Sequence, residues 1–294
     1  MKIVVSSNCQ TAGLTIALRM LLPGADIAPF PYAGLGSDEM AGLAGQLSHA
    51  DIWVVTAPKS VIDDVRSHGQ FEQLQILTLP ELYFDAFHPD LVYAWLPTQS
   101  TLDTPAGPYN SAIALWGWRR NLDVGETVAL FTPEVFERLG YTKRWELSIA
   151  RMKSDFDVHH LDHRHFILPL QRRGVFMHPV NHPTVAALAQ LSRLLAARLG
   201  ADAEVLAEPV ENFMTDGLMA ASTVWPVYPS IANALGMTGS FTWKLPSQAV
   251  VRLEEFIQGS FDMYATQSGV FACHQLDWPM YDPTLEMALS EATR

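Results

Sequence analysis

Cysteine is scarce in this chain. Cys9 and Cys273 are the two among 294 residues, which excludes a disulfide-stapled scaffold and fits a reducing compartment. Positive charge is also short, with 19 Lys and Arg against 31 Asp and Glu and a formal net charge of −12. That balance lacks the basic stripe of a nucleic-acid binder. No uncharged apolar run is long enough to span a bilayer; the best stretch, 184–199, is interrupted by Arg193 and Arg198. The amino-terminal strand passes at once into polar Ser6, Ser7 and Asn8, so no signal peptide is expected. The expected location is the cytoplasm, with peripheral attachment to a membrane complex left open. GxGxxG, GxxxxGK[ST] and HExxH patterns are all missing, and Gly34-Leu35-Gly36 is too short for a dinucleotide fingerprint.

What is present suffices for a sizeable core. Hydrophobic residues make up 49% and charged residues 17%, which argues against disorder and allows one large domain or two small ones. The first hundred residues alternate between strand and helix patterns. Strands are expected at Ile3–Val5, 52–55, 76–79 and 91–96. Helices are expected after Gln10, from Asp38 behind a Ser37 cap, and over 59–68. Buried-looking strands alternating with helices imply a parallel sheet flanked by helices. Residues 97–110 read as loop, and 111–120, 133–139 and 143–153 as helices, with a break at Asp123-Val124-Gly125-Glu126. A further strand is expected at 174–177, then a helix opened by Pro183 and closed by Gly200. The last third reads as mostly helical, most clearly over 247–265. We expect a single unit over 1–294: an α/β core of about 1–100 and 174–200, carrying a helical lobe of about 110–170 and 205–294.

Two turns could carry chemistry. Cys9 follows the first strand and precedes the first helix, which places it at the carboxyl edge of the sheet, where open α/β proteins bind ligands. The partial positive charge of a helix start should ease ionisation of the thiol. The alternative is a buried cysteine packing as a small hydrophobe. The second turn, His178-Pro179-Val180-Asn181-His182-Pro183, also lies between strand and helix. A thiol nucleophile needs a base within reach, and His182 is the better candidate because Pro183 fixes the turn beside it. The alternative there is an Asn-His helix cap.

Other polar features are weaker. The segment Asp155, Asp157, His159, His160, Asp162, His163, His165 invites a metal reading, since His159 and His163 would share one helical face. A solvated polar segment is the favoured reading, and no metal is expected. Arg119, Arg120, Lys143 and Arg144 are candidates for the phosphates of a cofactor, against ordinary helix-end charge. Trp225-Pro226-Val227-Tyr228-Pro229-Ser230 could line a groove or simply pack.

Several motifs, taken in order, form a recognisable pattern. These are Ser7-Asn8-Cys9-Gln10 after the first strand, Phe87-His88-Pro89-Asp90 before another, and Gly107-Pro108-Tyr109-Asn110-Ser111 opening a helix. Leu139-Gly140-Tyr141, Asn181-His182-Pro183 and Val227-Tyr228-Pro229-Ser230-Ile231-Ala232 follow. Over about residues 1–270 this resembles the WcbI-like polysaccharide biosynthesis family, whose opening motif often has glycine where Ser7 stands. The resemblance implies a flavodoxin- or SGNH-like sheet and coenzyme A as acyl donor, with acetyl transfer to a sugar hydroxyl of a capsular or other surface polysaccharide precursor. It implies Cys9 and His182 as catalytic, with Asn8, Gln10, Asn181, Ser111, Tyr109 and His88 stabilising an oxyanion or positioning substrate. SGNH-type esterases carry an aspartate three residues before their histidine; here that position is Pro179, so an orienting acid must come from elsewhere. Association with polysaccharide-assembly proteins is a further expectation. The rivals are an esterase using Cys9 and His182 without coenzyme A, and a non-catalytic ligand-binding protein.

Overall fold

The structure, a computed structural model, describes residues 1–294 except 32–36, 70, 72, 268, 271–273, 276–282 and 293–294. Gly34-Leu35-Gly36 and Cys273 lie outside the described residues. Along the chain run β1 (Lys2–Ser6), α1 (Thr11–Leu21), β2 (Asp26–Pro29), α2 (Ser37–Leu47), β3 (Ile52–Val55), α3 (Lys59–Ser67) and β4 (Gln75–Thr78). Next come β5 (Leu91–Trp95), β6 (Tyr109–Ser111), α4 (Ala112–Arg119), α5 (Val124–Val128), α6 (Pro133–Arg138), α7 (Arg144–Val158), α8 (His163–Gln171) and α9 (Val185–Arg198). The chain divides into two compact units. One comprises Met1–Tyr83, Ala150–Met177 and Asn181–Leu218; the other Phe84–Ile149, His178–Val180 and Met219–Arg294. The boundary between Ile149 and Ala150 falls inside α7, so residues 150–170, grouped above with a helical lobe, lie in the unit that holds the parallel sheet.

The first unit is built on a parallel sheet of order β2-β1-β3-β4. Its central strands are apolar and buried over Ile3, Val4 and Val5 of β1 and Ile52, Trp53, Val54 and Val55 of β3, as strands must be when helices cover both faces. The four-residue edge strand Asp26-Ile27-Ala28-Pro29 was not legible beforehand: it lacks a run of β-formers, and proline is tolerated in it because it lies at an edge. α1 packs on α9, and α8 on α9. Gly13 permits the first contact, since a Cβ there would stand 2.4 Å from Leu188 Cδ1.

α9 begins behind Thr184, whose Oγ1 accepts the Ala187 N–H at 3.4 Å, so Pro183 precedes the cap rather than opening the helix. It ends at Gly200 with φ of 86°, where the Ala201 N–H returns to the Ala196 carbonyl at 2.9 Å. The strand expected at 174–177 does not join the sheet. Met177 forms an isolated bridge with Pro183, and the Thr184 N–H bonds the Phe176 carbonyl at 2.9 Å, so this stretch closes its own loop.

The second unit corrects another expectation. The run 91–96 is not a fourth parallel strand: β5 pairs antiparallel with β6 and with His274–Gln275. A parallel return needs a crossover, usually helical, and Leu79–Asp90 contains Pro80 and Pro89 and no helix. Asp123 does end the α4 region, but it also starts α5 through a reciprocal cap: its Oδ1 accepts the Glu126 N–H at 2.7 Å, and Glu126 Oε2 accepts the Asp123 N–H at 2.8 Å. The helix expected over 247–265 is observed at Leu253–Thr266, because Val250–Arg252 forms a two-stranded ladder with Thr242–Lys244. Phe256, Ile257, Ser260, Phe261 and Tyr264 form its buried face. Trp225 packs edge-on to Trp243 and Phe256, which themselves stack at 4.5 Å, so the Trp225–Ser230 segment begins in the core.

Candidate functional site

The order β2-β1-β3-β4 reverses direction between β1 and β3, and open α/β sheets bind ligands outside the carboxyl ends at such a point. Cys9 lies there, in the turn joining β1 to α1, and its side chain is exposed. The buried-cysteine alternative is therefore set aside. The turn is held from within. Thr11 Oγ1 accepts the Ser7 N–H at 3.0 Å and donates to the Asn8 carbonyl at 2.8 Å. Asn8 Oδ1 accepts the Gln10 N–H at 3.1 Å and lies 3.7 Å from Cys9 Sγ.

The expected easing of ionisation is not found. Burial around the sulfur pushes the Cys9 thiol above its ordinary value, the turn's own backbone N–H pulls it down, and the Glu81 carboxylate pushes it up again. Desolvation and a nearby anion outweigh the helix start. At neutral pH Cys9 is a thiol, and its use as a nucleophile requires a base.

Gln10 does something other than expected. Its side chain is 1% exposed, and Nε2 makes long bonds to the carbonyls of Leu82 (3.5 Å) and Asn181 (3.4 Å). This amide does not reach out to an oxyanion. It ties the Cys9 turn to the strand-like stretch at Leu82 and to the turn that carries His182. Asn181 and His182, both half-buried, thus belong to the same unit as Cys9 and sit one bond from its turn. Gln10 Oε1 and Ser7 Oγ are buried without a hydrogen-bond partner.

Asn8 also looks outward. Its Nδ2 donates to Glu81 Oε1 at 2.8 Å. Glu81 follows β4, and with Asn8, Thr56, Ala57, Pro58, Leu79 and His159 it lines a cleft of about 300 Å³. His159, one residue past α7, meets β4 through Nδ1, which lies 2.8 Å from Thr78 Oγ1. Partial burial lowers its pKa first; Asp155 raises it and His160 lowers it further, so the ring is held neutral. Glu81 and His159 were missed as site residues. A rule that looked just past each strand's carboxyl end would have found Thr56 and Glu81, but only tertiary placement of α7 brings His159 there.

The metal reading of 155–165 loses its geometry. α7 ends at Val158, His160 adopts φ of 56°, and α8 starts at His163 behind an Asp162 cap, so His159 and His163 are not on one helix. Among the described residues no group of three or more His, Cys, Asp or Glu could hold a metal ion.

The remaining candidates lie in the second unit. His88 is buried, with Nδ1 3.3 Å from the Pro226 carbonyl. Tyr109 packs edge-on to Tyr93. Ser111 caps α4 by accepting the Ala114 N–H at 3.1 Å. Arg120 is ion-paired with Glu286 and stacks over Trp116 at 5.5 Å. Arg144 is held by Asp85, with Nε at 2.9 Å from Oδ2. Arg119 ends α4, half-buried, and Lys143 is exposed before α7.

Over residues 2–204 the sequence matches the profile of a family described as polysaccharide biosynthesis enzyme WcbI. This chain belongs to the WcbI family. A solved structure of WcbI, described as a novel polysaccharide biosynthesis enzyme, aligns at a TM-score of 0.73 and 15% identity, covering 99% of this chain and 98% of that one. At that identity the likeness shows the shared fold. The WcbI structure is described as the native protein without a disulfide bond between coenzyme A and one of its cysteines. No curated protein matches the chain.

Proposed function

We propose that this WcbI-family chain is an acyl-coenzyme A-dependent O-acyltransferase, moving an acetyl group to a sugar hydroxyl of a surface-polysaccharide precursor. The observation that carries the reading is the exposed Cys9 at the switch point of the sheet, tied through Gln10 to the Asn181-His182 turn. The WcbI structure whose description links coenzyme A with a cysteine supports the choice of donor.

In this reading His182 takes the proton of the Cys9 thiol, and the sulfur attacks the thioester carbonyl carbon. The bond from that carbon to the coenzyme A sulfur breaks, and coenzyme A leaves with the proton from His182. The acceptor hydroxyl then attacks the Cys9 thioester, giving its proton to His182, and Cys9 leaves as the thiol. The backbone N–H of Cys9 is the donor assigned to the oxyanion, since the Gln10 amide and the Asn8 Nδ2 are both engaged. Arg120 and Arg144 are already paired with carboxylates. Among the described residues no helix is long and apolar enough to cross a membrane; the proposal places the reaction in the cytoplasm.

Calorimetry with coenzyme A and acetyl-coenzyme A on wild type and Cys9→Ala tests this. Binding by both proteins, with radiolabelled acetyl retained on wild type alone, is expected. Binding without label favours direct transfer through His182. Absence of binding overturns the acyltransferase reading and returns the esterase, which needs no coenzyme A, and the binding protein.

A further inference from the structure

The cleft beside Cys9 has a chemistry the donor does not explain. It is bounded by the ends of β1, β3 and β4 and by the turn after α7, all within the sheet's own unit. One part is polar: the Glu81 carboxylate, the Asn8 amide, the Thr56 hydroxyl and the His159 ring. The other is aliphatic: Ala57, Pro58 and Leu79. Its volume of about 300 Å³ is at the lower end of the range of small-molecule sites, about 300–1,000 Å³. Among its lining residues there is no lysine or arginine, and Glu81 brings a negative charge. Coenzyme A, with its phosphates, is poorly served there.

A neutral polyol is well served. Carboxylate and amide side chains bind hydroxyl groups in pairs, and a charged acceptor strengthens such bonds about twofold over neutral ones. Glu81 uses Oε1 to accept from Asn8, which fixes its orientation and leaves Oε2 for a ligand. His159 is oriented in the same way: Nδ1 is engaged by Thr78, so Nε2 is the nitrogen available to the cleft. Two preset polar groups sharing a cleft with aliphatic side chains suit a pyranose ring, which carries hydroxyls around its rim and C–H bonds on its faces.

We infer that the Asn8–Glu81–His159 cleft is a subsite for one pyranose ring, held by its hydroxyls on Glu81 and His159 with a C–H face against Ala57 and Pro58. It rests on the acyltransferase reading only in calling that ring the acceptor. The cleft holds a single ring, so specificity for the terminal or modified sugar is read here and the rest of the glycan extends into solvent.

Saturation-transfer NMR with the methyl pyranosides of glucose, galactose and mannose tests the subsite on full-length wild type, Glu81→Gln, Glu81→Ala and His159→Ala. At least one pyranoside is expected to give ring-proton signals on wild type, reduced severalfold by Glu81→Gln and tenfold or more by Glu81→Ala and His159→Ala. Thermal unfolding of each variant separates loss of the subsite from loss of the fold. Glu81 is exposed, so Glu81→Ala is the variant that decides if His159→Ala unfolds. No signal on wild type, or equal signals on wild type and Glu81→Ala, overturns the inference. Coenzyme A calorimetry on the same wild-type sample separates the two conclusions. Coenzyme A binding without pyranoside binding removes the subsite alone; pyranoside binding without coenzyme A removes the acyltransferase reading alone.

Discussion

The Cys9 thiol is governed by three neighbours: the partial burial that raises its pKa, the backbone N–H that lowers it, and Glu81, which raises it. The reactive thiolate is therefore a minor species at pH 7. Alkylation of Cys9 by iodoacetamide, followed by peptide mass mapping, is expected to keep accelerating through pH 9. Glu81→Gln should shift that profile to lower pH and raise the rate at pH 8 about twofold or more, since the removed carboxylate opposes the thiolate. An unchanged profile would mean that Glu81 exerts no field at the sulfur. Gln10 makes a second prediction at this scale. Replacing it by Leu removes the donor to two carbonyls, of Leu82 and Asn181, and should cost about 1–3 kcal/mol in denaturant unfolding. On the proposed acyltransferase reading it should also slow acyl transfer by releasing the His182 turn. Both turns were recognisable from residue type and position, whereas the Gln10 bridge between them was not, because nothing in a linear pattern reports contacts over such separations.

Among elements, α1 and α9 pack closely. Ala at position 13 places a methyl against Leu188 Cδ1, the far end of a flexible side chain that can turn aside, so the overpacking cost falls at or below the lower end of about 1–3 kcal/mol. Gly13→Ala is expected to change stability by about 1 kcal/mol or less in urea unfolding. In a Leu188→Ala background the same change should cost much less, because the clashing atom is gone; additivity of the two would place the strain elsewhere. Since α1 leads from Cys9 and α9 leads from His182, this contact fixes how the two turns face the same region. Element types were legible wherever the pattern was strong, as for β1, β3 and α1. They were misread where a short run depends on its partner. The Leu91–Trp95 segment has the composition of a buried strand, and only the absence of a helical crossover before it decides that it pairs antiparallel. Residues 174–177 also read as a strand, but Met177 forms an isolated bridge with Pro183 instead of joining the sheet.

For the molecule as a whole, pH exposes a buried charge in the second unit. Asp90 is fully buried and accepts from Tyr141 (3.0 Å), Tyr228 (2.8 Å) and the Ile113 N–H (3.1 Å). Burial pushes its carboxyl from 3.8 up to about 6, with Ser111, Tyr228, Ile113 and Tyr141 pulling the other way. A group that holds its proton more tightly when folded favours the native state at low pH, and that contribution disappears as pH rises through the folded value. Two pKa units correspond to about 3 kcal/mol. Denaturant unfolding at pH 4 and pH 7 should therefore show the gap between wild type and Asp90→Asn changing by about that amount, with wild type relatively weaker at pH 7. In the first unit Glu211 works oppositely: burial raises its pKa, but Arg193 and Arg173 more than offset that and hold it low. Its contribution is lost as pH falls, so the comparison with Asp90→Asn is needed to isolate Asp90.

The sequence alone determined the class of fold, the parallel sheet of the first unit and the placing of Cys9 at its edge, because side-chain periodicity and turn chemistry act over a few residues. It also carried the family, through motifs whose order is linear information. Tertiary structure decided what surrounds the thiol. Glu81 comes from the end of β4, His159 from the turn after α7 and the Asn181 carbonyl from before α9. Their contacts, and the burial that sets the charge states of Cys9 and His159, depend on packing between elements far apart in the chain. A pKa is a property of that packed environment, which is why a helix start alone suggested an acidic thiol and the folded molecule holds a protonated one.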